Sequence, residues 1–136
     1  MIRGKRLIVV DDSIVRGNTQ RALVRMLREA GAVEVHVRIA SPPVKWPCFY
    51  GIDFATPAEL IANAASTGDD VTEMLEGVRH AIGADTLGYI SQRGMIAATE
   101  QPATRLCSAC FDGHYPIELP GETALGKNVI EHMLST

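Results

Sequence analysis

Asp11 and Asp12 stand side by side at the end of the apolar run Leu7 to Val10, and a small polar stretch, Ser13-Ile14-Val15-Arg16-Gly17-Asn18-Thr19, follows them. Two adjacent carboxylates beside a loop of free backbone donors fit one kind of chemistry. The loop amides hold an anion, while the acids accept hydrogen bonds from sugar hydroxyls and help hold Mg²⁺, directly or through water. Gly17 lets the backbone approach a ligand closely, and Ser13, Asn18 and Thr19 add side-chain donors. Arg16 lies inside the loop, where phosphate contact and a plain surface role are both open. Along an ideal strand the two acids would point to opposite faces. A turn at Asp12 and Ser13 would let both project into one crevice. The acid pair alone would read as capping carboxylates with no ligand; strand, acid pair, glycine-containing polar loop and helix together favour the ligand.

The second group is sulfur. Cys107-Ser108-Ala109-Cys110 places two thiols at metal-ligand spacing, and Cys48 lies far away in sequence. Three thiolates and one further ligand would complete a zinc site or an iron–sulfur cluster, and spacing does not choose between them. A redox pair at 107 and 110, with Cys48 simply buried beside Trp46 and Phe49, fits as well.

The elements that must position these residues read as an α/β fold. Arg6 to Val10 is continuously apolar after its first residue, which suits a strand covered on both faces of a parallel sheet. A helix follows, capped by Asn18 or Thr19, with apolar residues at Ala22, Leu23, Met26, Leu27 and Ala30 and a stop at Gly31. The acids and loop thus sit between the carboxyl end of a strand and the N-terminus of a helix, where open α/β folds bind anionic ligands. In "VEVHVRIA" apolar residues at 33, 35, 37 and 39 alternate with polar ones, predicting a strand at or near a sheet edge. Pro42 and Pro43 end it, leaving one right-handed βαβ unit over residues 1–40. Beyond it, Thr56-Pro57-Ala58-Glu59 and Asp70-Val71-Thr72-Glu73 open two helices by capping boxes, the first running from Pro57 to about Ala65. "TLGYIS" predicts a further strand, Met95 to Thr99 a helix, the stretch around the CxxC an aperiodic loop, and Leu125 to Leu134 a closing helix. Arg21, Arg25 and Arg28 share one helical face and read as solvated, as do His36, His80 and His132.

The 136 residues carry a net charge of −3, with 46% hydrophobic and 21% charged side chains, an ordinary globular composition that offers no general attraction to nucleic acid or membrane surfaces. No apolar run approaches the roughly 20 residues of a membrane span, and "MIRGKR" lacks the apolar stretch of an export signal. The expected location is cytoplasmic.

With those residues in view, "LIVVDDSIVRGNT" resembles the phosphoribosylpyrophosphate (PRPP) motif of type I phosphoribosyltransferases, and "SPPVKWPCFYGID", "ELIA", "LGYIS" and "CSACFDGHYP" extend the likeness to the amidophosphoribosyltransferases. The resemblance implies part of a type I phosphoribosyltransferase fold lacking its upstream strands, with residues 41–136 a C-terminal extension carrying the cysteine loop. It implies transfer of glutamine-derived ammonia to C1 of PRPP, with pyrophosphate released and 5-phosphoribosylamine formed, the first committed step of purine synthesis. By position, Asp11 and Asp12 engage the ribose hydroxyls and Mg²⁺, and Ser13, Ile14, Val15, Arg16, Gly17, Asn18 and Thr19 bind the 5′-phosphate. The family more often has threonine where this chain has Asn18. One branch of the family carries a [4Fe–4S] cluster, and Cys48, Cys107 and Cys110 sit where three of its four ligands do, the fourth lying outside this chain. His114 is near enough in sequence to stand in for it. Tyr50 and Asp53 match the family without an assignable chemical role.

The family's N-terminal glutaminase domain, with its nucleophilic cysteine, is absent from the chain, as is the loop that closes over PRPP. The resemblance therefore leads to the expectation that these residues alone do not perform the full reaction. It also implies a homotetramer and feedback inhibition by purine nucleotides. A PRPP-binding regulatory module without catalysis, or a truncated remnant, is the alternative. The regulator would normally bring a basic DNA-binding segment, and this chain has none. An uncovered sheet edge predicts self-association.

Overall fold

The structure, a computed structural model, describes residues 1–51, 56–66 and 70–117. The helix expected over 125–134, with His132, and Asp53 lie outside the described residues. Three parallel strands form the sheet: β1 (Arg6–Asp11), β2 (Glu34–Ile39) and β3 (Thr86–Tyr89), in the order β1-β2-β3. Helix α1 (Asn18–Glu29) connects the first pair. Between the second pair come a 3₁₀ turn (Pro57–Glu59), the short helix α2 (Ile61–Ala64) and α3 (Val71–Ile82). Helix α4 (Gln92–Ala98), a second 3₁₀ turn (Ala103–Arg105) and α5 (Ala109–Asp112) follow β3. The register aligns Asp11 with Ile39 and Ile39 with Tyr89, so one row of residues marks the carboxyl end of the sheet.

One face of the sheet carries the core. Val35, Val37 and Ile39 of β2 pack with Val24 and Leu27 of α1, Met74, Val78 and Ile82 of α3, and Ile14, with Leu7, Val9 and Leu87 against them. Each such aliphatic side chain withdrawn from water contributes roughly 1.5–3 kcal/mol. The opposite face is open among the described residues: Ile8 and Val10 are each 72% exposed. This corrects two expectations. β1, read as covered on both faces, is covered among the described residues on the Leu7/Val9 side, where its branched residues meet a helix layer, and it stands at the edge of the sheet, in line with the uncovered edge expected. β2, read as an edge strand, lies in the middle; its alternation records the one-sided cover. On the open face a polar ladder crosses the strands, with Arg6 on Glu34 at 2.6 Å, His36 Nε2 on Glu34 at 2.8 Å, and His36 Nδ1 and Arg38 on the Thr86 hydroxyl at 3.0 Å. His36 is thus engaged rather than freely solvated.

The helix ends follow their sequence signals closely. Gly31 (φ +96°) stops α1 in a Schellman motif, with Ala32 N–H donating to Leu27 O and Gly31 N–H to Arg28 O. The Thr56/Glu59 capping box forms, but Leu60 is extended (ψ 119°), so the predicted 57–65 helix divides into a 3₁₀ turn and α2. Asp70 caps α3 through Thr72 and Glu73 N–H. The expected helix at 95–99 starts earlier, capped by Ser91, whose hydroxyl accepts from Gly94 N–H. Arg21 and Arg28 differ from their solvated reading. Because α1 and α3 lie side by side, Arg21 donates to Ala81 O at 2.8 Å and Arg28 to Gly83 O and Asp85, satisfying carbonyls at the end of α3. Among the described residues no helix is long and apolar enough to cross a membrane.

Candidate functional site

At the carboxyl end of β1 the two acids separate. Asp11 continues the Leu7/Val9 face and is half-buried; Asp12 is exposed. Asp11 Oδ2 accepts from Gln20 Nε2 at 2.7 Å, and its Oδ1 accepts from the Asp12 N–H at 3.0 Å. Asp12 Oδ1 accepts from the Ser13 hydroxyl at 3.0 Å. The alternation of the strand therefore persists through the acid pair: one carboxylate turns under the helix layer, the other outward. Gln20 was missed in the sequence. It is 6% exposed and donates a second bond to Ser13 O at 3.1 Å. Its signal was present, since Gln20 stands four residues before Val24 and seven before Leu27, the first position of the buried stripe of α1. A polar residue there needs a polar partner.

The loop that follows leaves its amides open. Among the described residues no backbone N–H from Ser13 to Thr19 finds an acceptor. Neither Asn18 nor Thr19 caps α1, contrary to expectation. Gly17, left-handed at φ +75°, is the cap residue, and among the described residues no side chain bonds to the first-turn amides. Asn18 and Thr19 are exposed and already helical. A row of unpaired N–H groups at the positive end of a 12-residue helix is suited to a multiply charged oxyanion.

The other loop residues serve the interior. Ile14 is 1% exposed in the main core, and Val15 packs with Val44, Leu60, Cys110 and Phe111, so each can offer a ligand only its backbone. Gly17 is buried, and a Cβ there would collide with Ile61 Cδ1. Its glycine is required by its left-handed conformation and by packing, a different reason from the ligand approach read from sequence. Arg16 reaches Glu59 at 3.5 Å, with both side chains about half exposed.

The three cysteines gather beneath this loop. Lys45 and Trp46 N–H both donate to Cys110 O, at 3.0 and 3.1 Å, and the Tyr115 hydroxyl donates to Pro47 O at 2.7 Å, which ties residues 44–50 to 109–117. Burial pushes the Cys110 thiol up to about 11, with Cys107 and Cys48 close enough to add to the effect. Cys48 and Cys110 are partly buried, Cys107 is exposed, and all three are free thiols. No group of three His, Cys, Asp or Glu among the described residues is spaced to hold a single metal ion. His114 is turned away, 90% exposed, with Nδ1 on Asp112 at 3.5 Å. Hydrogen bonds from Ser108, the His114 N–H and Gln92 hold the Asp112 carboxyl at about 2 against the cost of its burial.

The residues fit the two implied groups to different degrees. Asp11 and Asp12 both carry the hard carboxylate oxygens that Mg²⁺ takes, and Asp12 is the more exposed of the two. The thiols are the right donor type for an iron–sulfur cluster and converge on one neighbourhood, but are one ligand short.

No protein-family model matches the chain. Among individual proteins, the amidophosphoribosyltransferase of Mycobacterium tuberculosis is 84% identical over 135 residues, covering 99% of this chain and 25% of the relative. That of Mycobacterium leprae is 82% identical, and that of Bacillus subtilis 48% identical over 129 residues. The solved glutamine PRPP amidotransferase from B. subtilis, complexed with ADP and GMP, superimposes with a TM-score of 0.76 at 48% identity, covering 90% of this chain and 26% of that one. The chain thus spans about a quarter of the length of the curated relatives it matches. Along nearly all its residues the chain is thus similar to one segment of the amidophosphoribosyltransferases, and it shares the fold of that segment in the solved B. subtilis enzyme.

Proposed function

We propose that residues 11–19 form the PRPP site of an amidophosphoribosyltransferase. The observation that carries the reading is the row of unpaired amides from Ser13 to Thr19 beside two carboxylates at the carboxyl end of β1. The amides bind the 5′-phosphate. Asp11 and Asp12 accept from the ribose 2′- and 3′-hydroxyls, and Asp12, free to solvent on most of its carboxylate, holds Mg²⁺.

In the whole enzyme, ammonia derived from glutamine attacks C1 of the ribose. The C1–O bond to pyrophosphate breaks, its electron pair leaves with pyrophosphate, and the ammonium nitrogen now bonded to C1 gives up a proton to leave 5-phosphoribosylamine. Positive charge develops on the sugar as the leaving group departs. Fixing the phosphate at one end and the diol at the other holds C1 still for this attack. Bound Mg²⁺ supplies charge neutralisation for the departing pyrophosphate. Neither aspartate needs to act as a nucleophile. The product places the enzyme at the entry to purine synthesis, and purine nucleotides are its proposed feedback inhibitors, in keeping with the ADP and GMP named for the B. subtilis structure. The working form is proposed to be a homotetramer in the cytoplasm.

Cys48, Cys107 and Cys110 are proposed as three ligands of a [4Fe–4S] cluster whose fourth ligand lies outside this chain. Cys48 and Cys110 sit on the strap joining 44–50 to 109–117, with Cys107 just ahead of it, so the role assigned to the cluster is structural. Isothermal titration of the full chain with PRPP, with and without Mg²⁺, tests the main reading. Saturable binding strengthened by Mg²⁺ is expected; no binding under either condition would remove it.

A further inference from the structure

Gln20 is the polar residue of the buried α1 stripe, and both of its described bonds go to the sugar end of the candidate site: Asp11 Oδ2 at 2.7 Å and Ser13 O at 3.1 Å. Its neighbours along the stripe, Val24 and Leu27, are apolar and buried. A carboxylate on β1 has rotational freedom about two side-chain bonds, and here both oxygens are claimed, Oδ1 by the Asp12 N–H and Oδ2 by Gln20. Among the described residues Asp12 has no comparable brace; it is exposed and accepts from the neighbouring Ser13 hydroxyl. The two acids are therefore unlike, one held by the helix layer and one free to adjust.

We propose that Gln20 is a positioning residue that fixes the Asp11 carboxylate for the sugar diol, so that preference for a ribose phosphate over a bare phosphate depends on it. The inference rests on the PRPP-site reading. Without the Gln20 amide, Asp11 loses its 2.7 Å partner and swings among rotamers, and Ser13 O loses its 3.1 Å donor, while the loop beyond Ser13 stays fastened by the Ile61 N–H on Val15 O and by the packing of Gly17 on Ile61. Sugar recognition then weakens and phosphate recognition does not. A buried hydrogen bond to a charged group accounts for roughly a tenfold effect or more.

Ribose 5-phosphate and inorganic phosphate are titrated separately into the full chain and into Gln20→Met, which keeps the length of the side chain and suits an apolar stripe. Gln20→Leu serves as the second variant, and thermal melting checks that both remain folded. The wild-type chain is expected to prefer ribose 5-phosphate, and both variants to lose most of that preference, roughly tenfold, with phosphate affinity retained. If both ligands weaken in parallel, Gln20 is merely structural and the inference is overturned. If neither affinity changes, it is overturned as well. A wild-type chain that binds neither ligand removes the site reading itself, an outcome distinct from the other two.

Discussion

Gly17 rests against Ile61 so closely that the glycine hydrogen is the only substituent the site admits: a Cβ at 17 would overlap Ile61 Cδ1 and stand 3.5 Å from Ile82 Cγ2. The two segments are also joined two residues earlier, where Ile61 N–H donates to Val15 O at 2.9 Å. The candidate phosphate loop is thus seated on α2 and the end of α3. Gly17→Ala adds a methyl into this contact and a left-handed alanine, and is expected to cost about 2–4 kcal/mol. Gly17→Ala combined with Ile61→Ala should recover the packing part of that loss and not the backbone part. Chemical denaturation of the two variants checks this. Equal stability of single and double variants would place the whole cost in the backbone.

Asp85 links three elements, accepting from Val35 N–H of β2 at 2.6 Å and from Arg28 of α1 at 2.9 Å just ahead of β3. The Val35 N–H, opposed by burial and helped by Arg28, holds its carboxyl below the usual carboxylate range. A depressed carboxyl stabilises the fold above its unfolded value of about 4, and that contribution fades as pH falls through the folded value. Asp85→Asn is expected to lose about 1 kcal/mol at pH 7, since the side chain is a third exposed and its ion pair is screened. The difference between wild type and variant should shrink below about pH 4. A difference that holds constant down to pH 2 would assign the effect to shape instead of charge.

Local chemistry was legible where a single residue decides the outcome. Gly31 stops α1, Asp70 caps α3 and Thr56 pairs with Glu59, each as its sequence signal predicts. The sheet was less legible, because strand order is a property of pairing and not of composition. An uncovered sheet edge was expected, but the apolar run of β1 by itself gave no sign that its Ile8/Val10 face would stand open among the described residues. At the candidate site the acid pair and loop stood out as a motif, whereas Gln20 did not, since one glutamine among helix residues looks like surface until its place on the buried stripe is known. The link between Val15 and Cys110 was invisible for another reason: 95 positions separate them, and only the packing around Leu60 brings the two motifs into one cluster.

That cluster shapes what cysteine substitution should do. The strap from 44–50 to 109–117 is fastened by bonds that need no thiol, among them the Cys110 carbonyl and the Tyr115 hydroxyl, with Phe49 tilted against Tyr115 and Tyr50 edge-on to it. Anaerobically purified full-length protein is expected to contain iron and inorganic sulfide, with visible absorption. Cys110→Ser should lose both while the far-ultraviolet circular dichroism of the fold persists. Stoichiometric zinc with no visible absorption would remove the cluster proposal, and collapse of the fold would show that the metal group, not the protein bonds, fastens the strap.

The unequal setting of the two acids predicts unequal consequences for removing them. Asp12 is exposed and, among the described residues, accepts only from the Ser13 hydroxyl, so Asp12→Ala should leave stability within about 0.5 kcal/mol of wild type. If it holds Mg²⁺, PRPP binding by this variant should become insensitive to Mg²⁺. Asp11→Ala strips Gln20 of its 2.7 Å acceptor on a buried stripe and should cost about 1–3 kcal/mol in addition to weakening the sugar phosphate. Melting temperature and PRPP titration, each with and without Mg²⁺, separate the two. The pattern follows from strand alternation carried one residue past the sheet: the inward acid belongs to both fold and ligand, the outward acid to the ligand alone. Equal losses of stability in the two variants would mean that Asp12, too, is anchored in the protein, and the division of labour between them would fall.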